Sequence, residues 1–130
     1  MLVSFAQNTV GESYSRTELA LLWGYASCHA IARGVVTPRD DNKIILFVTR
    51  DKQSGTEQDE DELLGQELRW EGPRDHFAEE RMLQAEDAGD EIHLFYRERH
   101  HSDFVYQGRL QVVTCERYTD LPSRLILRLV

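Results

Sequence analysis

The stretch LRWEGP, residues 68–73, largely decides how this chain folds, together with the polar segment 74–81 that follows it. Two further strand-like stretches come next, EIHLFYR at residues 91–97 and DFVYQGRL at residues 103–110. The strand-like pattern of the first stretch ends just beyond Trp70, because a Gly-Pro pair follows at residues 72–73. A loop rich in Arg, Asp and His comes after that pair. An aromatic face beside several hydrogen-bonding groups is what a pocket needs to hold one flat, polar ring. The sequence predicts such a pocket here.

Hydrophobic patterns predict the strands. Residues 43–49, KIILFVT, form an unbroken apolar run that is typical of a strand buried on both faces. Gly108 indicates a bulge or bend, and Val35, Val36 and the first residues of the chain can add further strands. The remaining predicted strands alternate apolar and polar residues and cover 67–71, 91–97, 104–112 and 124–130.

Two short helices accompany these strands. Ser15 and Glu18 have the spacing of a capping box at the start of a helix over residues 16–23. A weaker helical pattern covers residues 75–85. Five to seven strands with two short helices, spaced too closely for regular βαβ units, predict one α+β domain over residues 1–130, a compact mixed β-barrel.

Composition limits the class of protein. With 130 residues, of which 41% are hydrophobic and 29% charged, the chain can bury a core without a metal or a disulfide. No apolar run approaches the ~20 residues of a membrane span, and the N-terminus lacks the pattern of a signal peptide. Cys28 and Cys115 belong to no metal or redox motif. A reduced, cytoplasmic protein without a cofactor or a membrane partner is expected.

The charge is negative overall but unevenly distributed. A net charge of −8 argues against a protein whose whole surface binds nucleic acid, because phosphate neutralisation dominates such binding. Residues 57–62 hold five acids in six positions, as a solvated loop does. Basic residues collect elsewhere, at Arg97, Arg99, His100 and His101. One basic face on an acidic body is therefore possible.

Trp70 has two interpretations. A tryptophan on an alternating strand is most often part of the core. The end of the strand at residues 72–73 instead favours a plate on which a base stacks, a contact worth ~1–3 kcal/mol. Binding residues commonly lie where a strand gives way to a loop.

The loop after Trp70 supplies hydrogen-bonding groups. Asp75 either caps a helix or accepts from the exocyclic amine of a cytosine, while backbone amides meet the ring oxygen. His76 contributes to the same base edge or contacts a phosphate. Arg74 and Arg81 are candidate phosphate contacts.

Arg97, Arg99, His100 and His101 form either a solvated hairpin turn or a loop that contacts phosphates. Adjacent histidines on a strand point to opposite faces and no further ligand has the spacing of a zinc site, so no metal is expected. Other candidate DNA-backbone contacts are Arg16, at a helix N-terminus, and Lys52, after the buried strand. No catalytic motif is present, so the chain is not expected to be an enzyme.

The order of these segments resembles a known family. The resemblance rests on YSRTEL at 14–19, IILFVT at 44–49 with Lys52, LRWE at 68–71, I-x-LFYR at 92–97 and F-x-Y-x-G at 104–108. These segments resemble the small domains found at the C-terminus of helicase-nuclease type IV restriction enzymes and beside HNH nucleases in bacteria. Those domains are similar to the SET-and-RING-associated (SRA) readers of modified bases, within the pseudouridine-synthase-associated (PUA-like) barrels.

The resemblance implies a domain that binds double-stranded DNA with a modified cytosine, 5-methylcytosine or 5-hydroxymethylcytosine first, and flips that base out of the stack. It implies the target-recognition module of a modification-dependent restriction system, with any nuclease activity in a fused or separate partner. The base pocket would contain Trp70, Glu71, Asp75, His76 and Tyr106. The DNA backbone would meet Arg16, Lys52, Arg74, Arg81, Arg97, Arg99, His100 and His101.

Residues 72–76, GPRDH, replace a serine- and glutamine-rich segment of that family, which leaves methyl, hydroxymethyl and phosphorothioate marks all open. Other functions also stay open from the sequence. They are a PUA-like RNA-binding domain, a protein-interaction or small-molecule module, which the acidic balance favours, and an enzyme. A steep salt dependence of binding would favour nucleic acid.

Overall fold

A computed structural model describes residues 3–51 and 61–130. The Lys52 prediction lies outside these residues, as does most of the acidic run. The strands are β1 (Ser13–Tyr14), β2 (Val35–Val36), β3 (Lys43–Asp51), β4 (Glu62–Leu64), β5 (Glu67–Glu71), β6 (Glu91–Arg99), β7 (Phe104–Glu116) and β8 (Arg124–Leu129). The helices are α1 (Arg16–Leu22), α2 (Glu79–Leu83) and α3 (Ala85–Ala88), with a 3₁₀ turn at Cys28–Ile31.

One mixed sheet organises the molecule. Its strands lie in the order β2-β3-β6-β7-β8-β5-β4, and β1 pairs with β7. β3 and β6 are parallel, with Thr49 opposite Arg97, whereas the other pairs are antiparallel. The path begins at β2 and ends at β4, so the sheet is not closed.

The central strands β3 and β6 are buried on both faces, as the apolar run of β3 predicts. On one face, Leu46 and Leu94 join a core that extends to β5 and β8. On the other face, Phe47 and Phe95 pack with Trp23 and α1. Each face of the sheet therefore has its own hydrophobic core, which fixes the register of every strand that crosses both.

The first helix begins as predicted. Ser15 accepts a hydrogen bond from the Glu18 amide, and the Glu18 side chain accepts one from the Ser15 amide. Gly108 has a φ of 100° and lies at the β6–β7 irregularity, where β7 has an extra residue. Both details confirm the sequence-based expectations.

Three features differ from the prediction. The described residues form eight strands rather than five to seven, because β1 and β4 are too short to show a pattern. The helix predicted over 75–85 is two short helices that begin only at Glu79, because a tight turn precedes them. The predicted barrel is an open sheet. No helix among residues 3–51 and 61–130 has the length and hydropathy needed to cross a bilayer.

Candidate functional site

A cavity of about 630 Å³ lies between the two ends of the open sheet, and it is called the sheet-end cavity below. One wall comes from β2 and β3, and the opposite wall comes from the end of β5 and the loop after it. The lining residues used below are Arg33, Phe47, Thr49, Asp61, Trp70, Glu71, Asp75, Phe77, Arg97 and His100. The cavity exists because no strand joins the first strand of the sheet to the last.

Phe47, Trp70 and Phe77 line this cavity, and the last two do so in different ways. Trp70 is 7% exposed and packs into the core between β5 and β3, so most of its ring serves as core. Phe77 is 38% exposed, and the Arg33 guanidinium lies 5.6 Å from its ring centre. The structure therefore offers Phe77 as the open aromatic face and Trp70 as a wall behind it.

Three carboxylates also line the cavity. Asp61 is 4% exposed and its Oδ1 accepts the Glu71 amide at 2.8 Å. Asp75 is exposed, and its Oδ1 accepts the Phe77 amide at 3.1 Å, so it shapes the loop. It does not cap a helix, because α2 begins at Glu79 with Ala78 as its N-cap. Glu71 and Asp75, both expected in the base pocket, line the sheet-end cavity, and Asp61 lines it without having been predicted.

Two arginines stand beside the cavity without a carboxylate. Arg97 lines it and donates through Nε to Thr49 Oγ1 at 2.8 Å and through Nη1 to the Ser102 carbonyl at 3.0 Å. Arg16 approaches from α1, and its buried Nε has no hydrogen-bond partner. Burial lowers the pKa of both guanidinium groups, and the Arg97 charge lowers that of Arg16 further. Within residues 3–51 and 61–130, neither forms an ion pair, so an anion is the partner that both lack.

The β6–β7 turn adds polar side chains beside these arginines. His100 lines the cavity, and its ring stands edge-on to that of His101 with centres 4.0 Å apart. Partial desolvation, then the charges of His101 and Arg97, lower the pKa of His100. Arg99 and His101 are exposed on the same turn. The turn therefore places Arg99 and the two histidines near Arg97, and the lowered pKa of His100 favours its neutral, hydrogen-bonding form.

His76 lies outside the sheet-end cavity. Its Nδ1 contacts Glu79 Oε1 at 3.0 Å, and Glu79 Oε2 accepts from Arg117 Nε at 3.0 Å. His76 and Ala78 both have a φ of 61°, a left-handed conformation that costs a residue with a Cβ about 1–2 kcal/mol. The His76–Glu79–Arg117 group therefore holds a tight loop, and that loop carries Asp75 and Phe77 into the cavity.

Two other predicted placements require correction. Tyr106, expected in the base pocket, lies in the core on the α1 side of the sheet, where its hydroxyl contacts His93 Nδ1 at 2.7 Å. Burial raises the pKa of Tyr106 to about 12. Arg81, expected at the DNA backbone, donates to Asp90 at 3.1 Å and to the Asp41 carbonyl at 2.7 Å, so its polar atoms join two loops of the fold. Arg74 is exposed on the loop and does not line the cavity.

The lining residues that the sequence did not predict include Arg33, Phe47, Thr49, Asp61 and Phe77. The sequence contained a clue to Thr49, because a polar residue at the end of an otherwise apolar strand is a candidate for a binding site. Asp61 is hidden in the sequence by the acidic run around it. Among the described residues, no three His, Cys, Asp or Glu side chains are grouped closely enough to hold a metal ion.

No family model and no curated protein matches this chain. Solved structures do match. The SUVH5 SRA domain with hemi-methylated CG DNA has a TM-score of 0.69 at 14% identity, over 100% of this chain and 94% of that one. The same domain with methylated CHH DNA and with fully hydroxymethylated CG DNA gives TM-scores of 0.64 and 0.62, at 14% and 16% identity and the same coverage. At such identities the likeness concerns architecture: the chain has the fold of an SRA domain.

Proposed function

We propose that this chain binds double-stranded DNA that carries a modified cytosine, with the modified base turned out of the helix and seated in the sheet-end cavity. The observation that carries the proposal is the position of this cavity, in an SRA fold, directly beside two arginines that lack a carboxylate partner. The SUVH5 SRA domains of the same fold are seen with methylated and hydroxymethylated DNA.

The cavity suits one planar base. Its volume of about 630 Å³ falls within the ~300–1,000 Å³ of typical ligand pockets. Phe77 offers a ring face on which a base stacks, a contact worth ~1–3 kcal/mol. The carboxylates of Asp61, Glu71 and Asp75 accept hydrogen bonds, which is what the exocyclic amine of cytosine requires.

The cations beside the cavity suit the flanking phosphates. Arg33 and Arg97 line it and Arg16 lies against its Phe47 wall, although the whole chain carries a net charge of −8. Electrostatic attraction to DNA depends on the local surface, and the Debye length at physiological salt is only about 8 Å. A local positive patch can therefore hold a duplex that the rest of the surface repels. Arg74, Arg99 and His101 are exposed and available to extend this contact.

The domain would act by recognition alone, as one unit over residues 1–130. In a modification-dependent restriction system of bacterial type, a fused or separate nuclease, of the HNH class among others, would supply the cleavage. The resemblance of segment order to the domains beside such nucleases supports this role.

The test is a fluorescence-anisotropy titration at low salt. The probes are one short duplex with cytosine, 5-methylcytosine, 5-hydroxymethylcytosine or a phosphorothioate linkage, and a matched RNA. A preference of about tenfold or more for one modified duplex, equal to about 1.4 kcal/mol, is expected. Equal or negligible binding to all five would overturn the proposal, and a preference for the RNA would reassign the domain to the PUA-like RNA binders.

A further inference from the structure

We propose that the Thr49 hydroxyl group donates a hydrogen bond to an acceptor atom in the ring of the flipped base. Arg97 directs the hydroxyl proton toward the base, because its own N–H already donates to the oxygen of that hydroxyl. The inference rests on the proposed function and adds to it the means by which 5-methylcytosine is separated from thymine.

The pairing of strands in the sheet places Thr49 next to Arg97. They are direct partners in the parallel pair β3–β6, and both line the sheet-end cavity. Thr49 is 9% exposed, at the end of the apolar run of β3. Its hydroxyl is therefore held on a rigid central strand, which positions a recognition group better than a loop does.

Hydrogen-bond accounting assigns the direction. A threonine hydroxyl has one proton and two lone pairs, and a guanidinium only donates. Arg97 Nε fills one lone pair of Thr49 Oγ1 at 2.8 Å, so the hydroxyl proton must turn away from the guanidinium. In the part of the chain that the structure describes, no oxygen accepts that proton. A nearly buried donor without an acceptor is costly, and a ligand in the cavity can satisfy it.

The base edge of cytosine complements this donor. Cytosine offers N3 and O2 as acceptors beside its N4 amine, so a donor from Thr49 and a carboxylate such as Asp61 match the two kinds of group. Thymine carries the same 5-methyl group, but it has a proton on N3 and an oxygen at C4. A pocket that read only the methyl group would accept both bases. Only N3 separates the two bases on the acceptor side, because O2 is an acceptor in both. A Thr49 donor directed at N3, beside a carboxylate at the amine, rejects thymine because donor would meet donor and acceptor would meet acceptor.

Arg97 is a positioning residue in this scheme. Its Nε holds Thr49 and its Nη1 holds the Ser102 carbonyl, while no protein hydrogen bond is made by Nη2 within residues 3–51 and 61–130. Nη2 can therefore meet a phosphate of the flipped nucleotide. The Arg97 guanidinium would then bind a phosphate of the DNA backbone and also position the Thr49 hydroxyl that contacts the base.

The experiment is a binding cycle between protein variants and base analogues. Thr49→Val removes the hydroxyl at constant shape, Thr49→Ser keeps it, and Thr114→Val is a matched control at an exposed position of β7. The duplex probes carry 5-methylcytosine opposite guanine, thymine opposite guanine, and two analogues of 5-methylcytosine that lack ring N3 or the 2-oxygen. Circular dichroism melts check that each variant is folded.

With wild-type protein, the analogue that lacks ring N3 should bind about fivefold more weakly than 5-methylcytosine, the size of one neutral hydrogen bond. That penalty should vanish in Thr49→Val and persist in Thr49→Ser and Thr114→Val. The preference for 5-methylcytosine over thymine should also fall about fivefold in Thr49→Val alone. A penalty for the analogue that lacks the 2-oxygen alone would overturn the inference.

Unchanged analogue penalties in a folded Thr49→Val protein would overturn the inference and leave the proposed function standing. If wild-type protein binds methylated and plain duplexes equally, the proposed function fails, and the inference fails with it.

Discussion

Arg16 and Arg97 hold their guanidinium carbons 4.9 Å and 4.2 Å from the centre of one ring, that of Phe104. The two cations come from α1 and β6, and Phe47 lies 4.8 Å from the first of them. Cation–π contacts offset part of the repulsion between the two charges. The arrangement therefore keeps two like charges close together beside the sheet-end cavity, ready for an anion.

Replacement of Arg16 by Gln should weaken binding to modified and plain duplexes alike. The salt slope of log affinity should fall by about one, since one phosphate contact is lost. Stability without DNA should change little, because the lost cation–π contact is offset by relief from the Arg97 charge. Arg128→Gln, an exposed position of β8, is the matched control. A loss confined to the modified duplex would show that Arg16 reads the base.

Phe77→Ala should abolish most of the discrimination between modified and plain duplexes, through loss of ~1–3 kcal/mol of stacking. The free energy of unfolding should change by less than it does for a core aromatic residue, because Phe77 is 38% exposed. Trp70→Ala should instead cost about 3–5 kcal/mol of stability, because that ring is in the core. Urea melts beside anisotropy titrations measure both quantities. Full discrimination by Phe77→Ala would remove Phe77 from the base site.

Arg81→Ala separates a structural arginine from a DNA-binding one. Its hydrogen bonds to Asp90 and to the Asp41 carbonyl predict a loss of about 1–2 kcal/mol in the free energy of unfolding. Affinity for a plain duplex should stay unchanged when it is measured well below the melting temperature. A reduced salt slope in this variant would restore Arg81 to the DNA-backbone contacts.

The histidines His76 and His93 should titrate on opposite sides of the usual imidazole pKa of 6.5. The hydrogen bond to Glu79 raises the pKa of His76, so its stabilising contribution is complete below pH 6.5 and is lost as the pH rises through the folded pKa. Burial lowers the pKa of His93 despite its contact with Glu91, so its contribution is present above pH 6.5 and is lost as the pH falls through the folded pKa.

An NMR titration of the imidazole resonances measures both midpoints directly. In urea melts, the stability difference between wild type and His76→Gln should be largest below pH 6.5 and shrink as the pH rises through the folded pKa of His76. Equal midpoints for the two histidines would contradict the structure.

The sequence predicted most of the sheet because its strands follow simple patterns. The run at 43–49, the alternation at 67–71 and the glycine at 108 each correspond to what the structure shows. Hydrophobic alternation has a limit, however. In β6 it was read as one buried and one polar face, whereas His93 and Arg97 on the second face meet another core and a cation–π partner. A pattern along one strand does not reveal what packs on its far side.

The site was predicted in part for the same reason. A strand end, the loop after it and a neighbouring turn lie together in space, and they bring several candidate residues to one cavity. These residues are Trp70, Glu71, Asp75, Arg97 and His100. Tyr106 lies outside the cavity because its side chain points to the α1 face of the sheet. His76 lies outside it because its backbone adopts a left-handed turn.

The parallel pairing of β3 with β6 also affects how the chain reaches this structure. Thr49 and Arg97 are 48 residues apart in the chain, whereas β4–β5, β6–β7 and β7–β8 are hairpin neighbours. Non-local parallel pairing carries a large loop-closure entropy and slows folding. On the ribosome, the C-terminal hairpins can form as soon as they emerge, while β3 waits for β6. Thr49 and the arginine proposed to position it would then be brought together only at a late step of folding. A truncated chain that ends before β6 would therefore have neither the central pairing nor the candidate site.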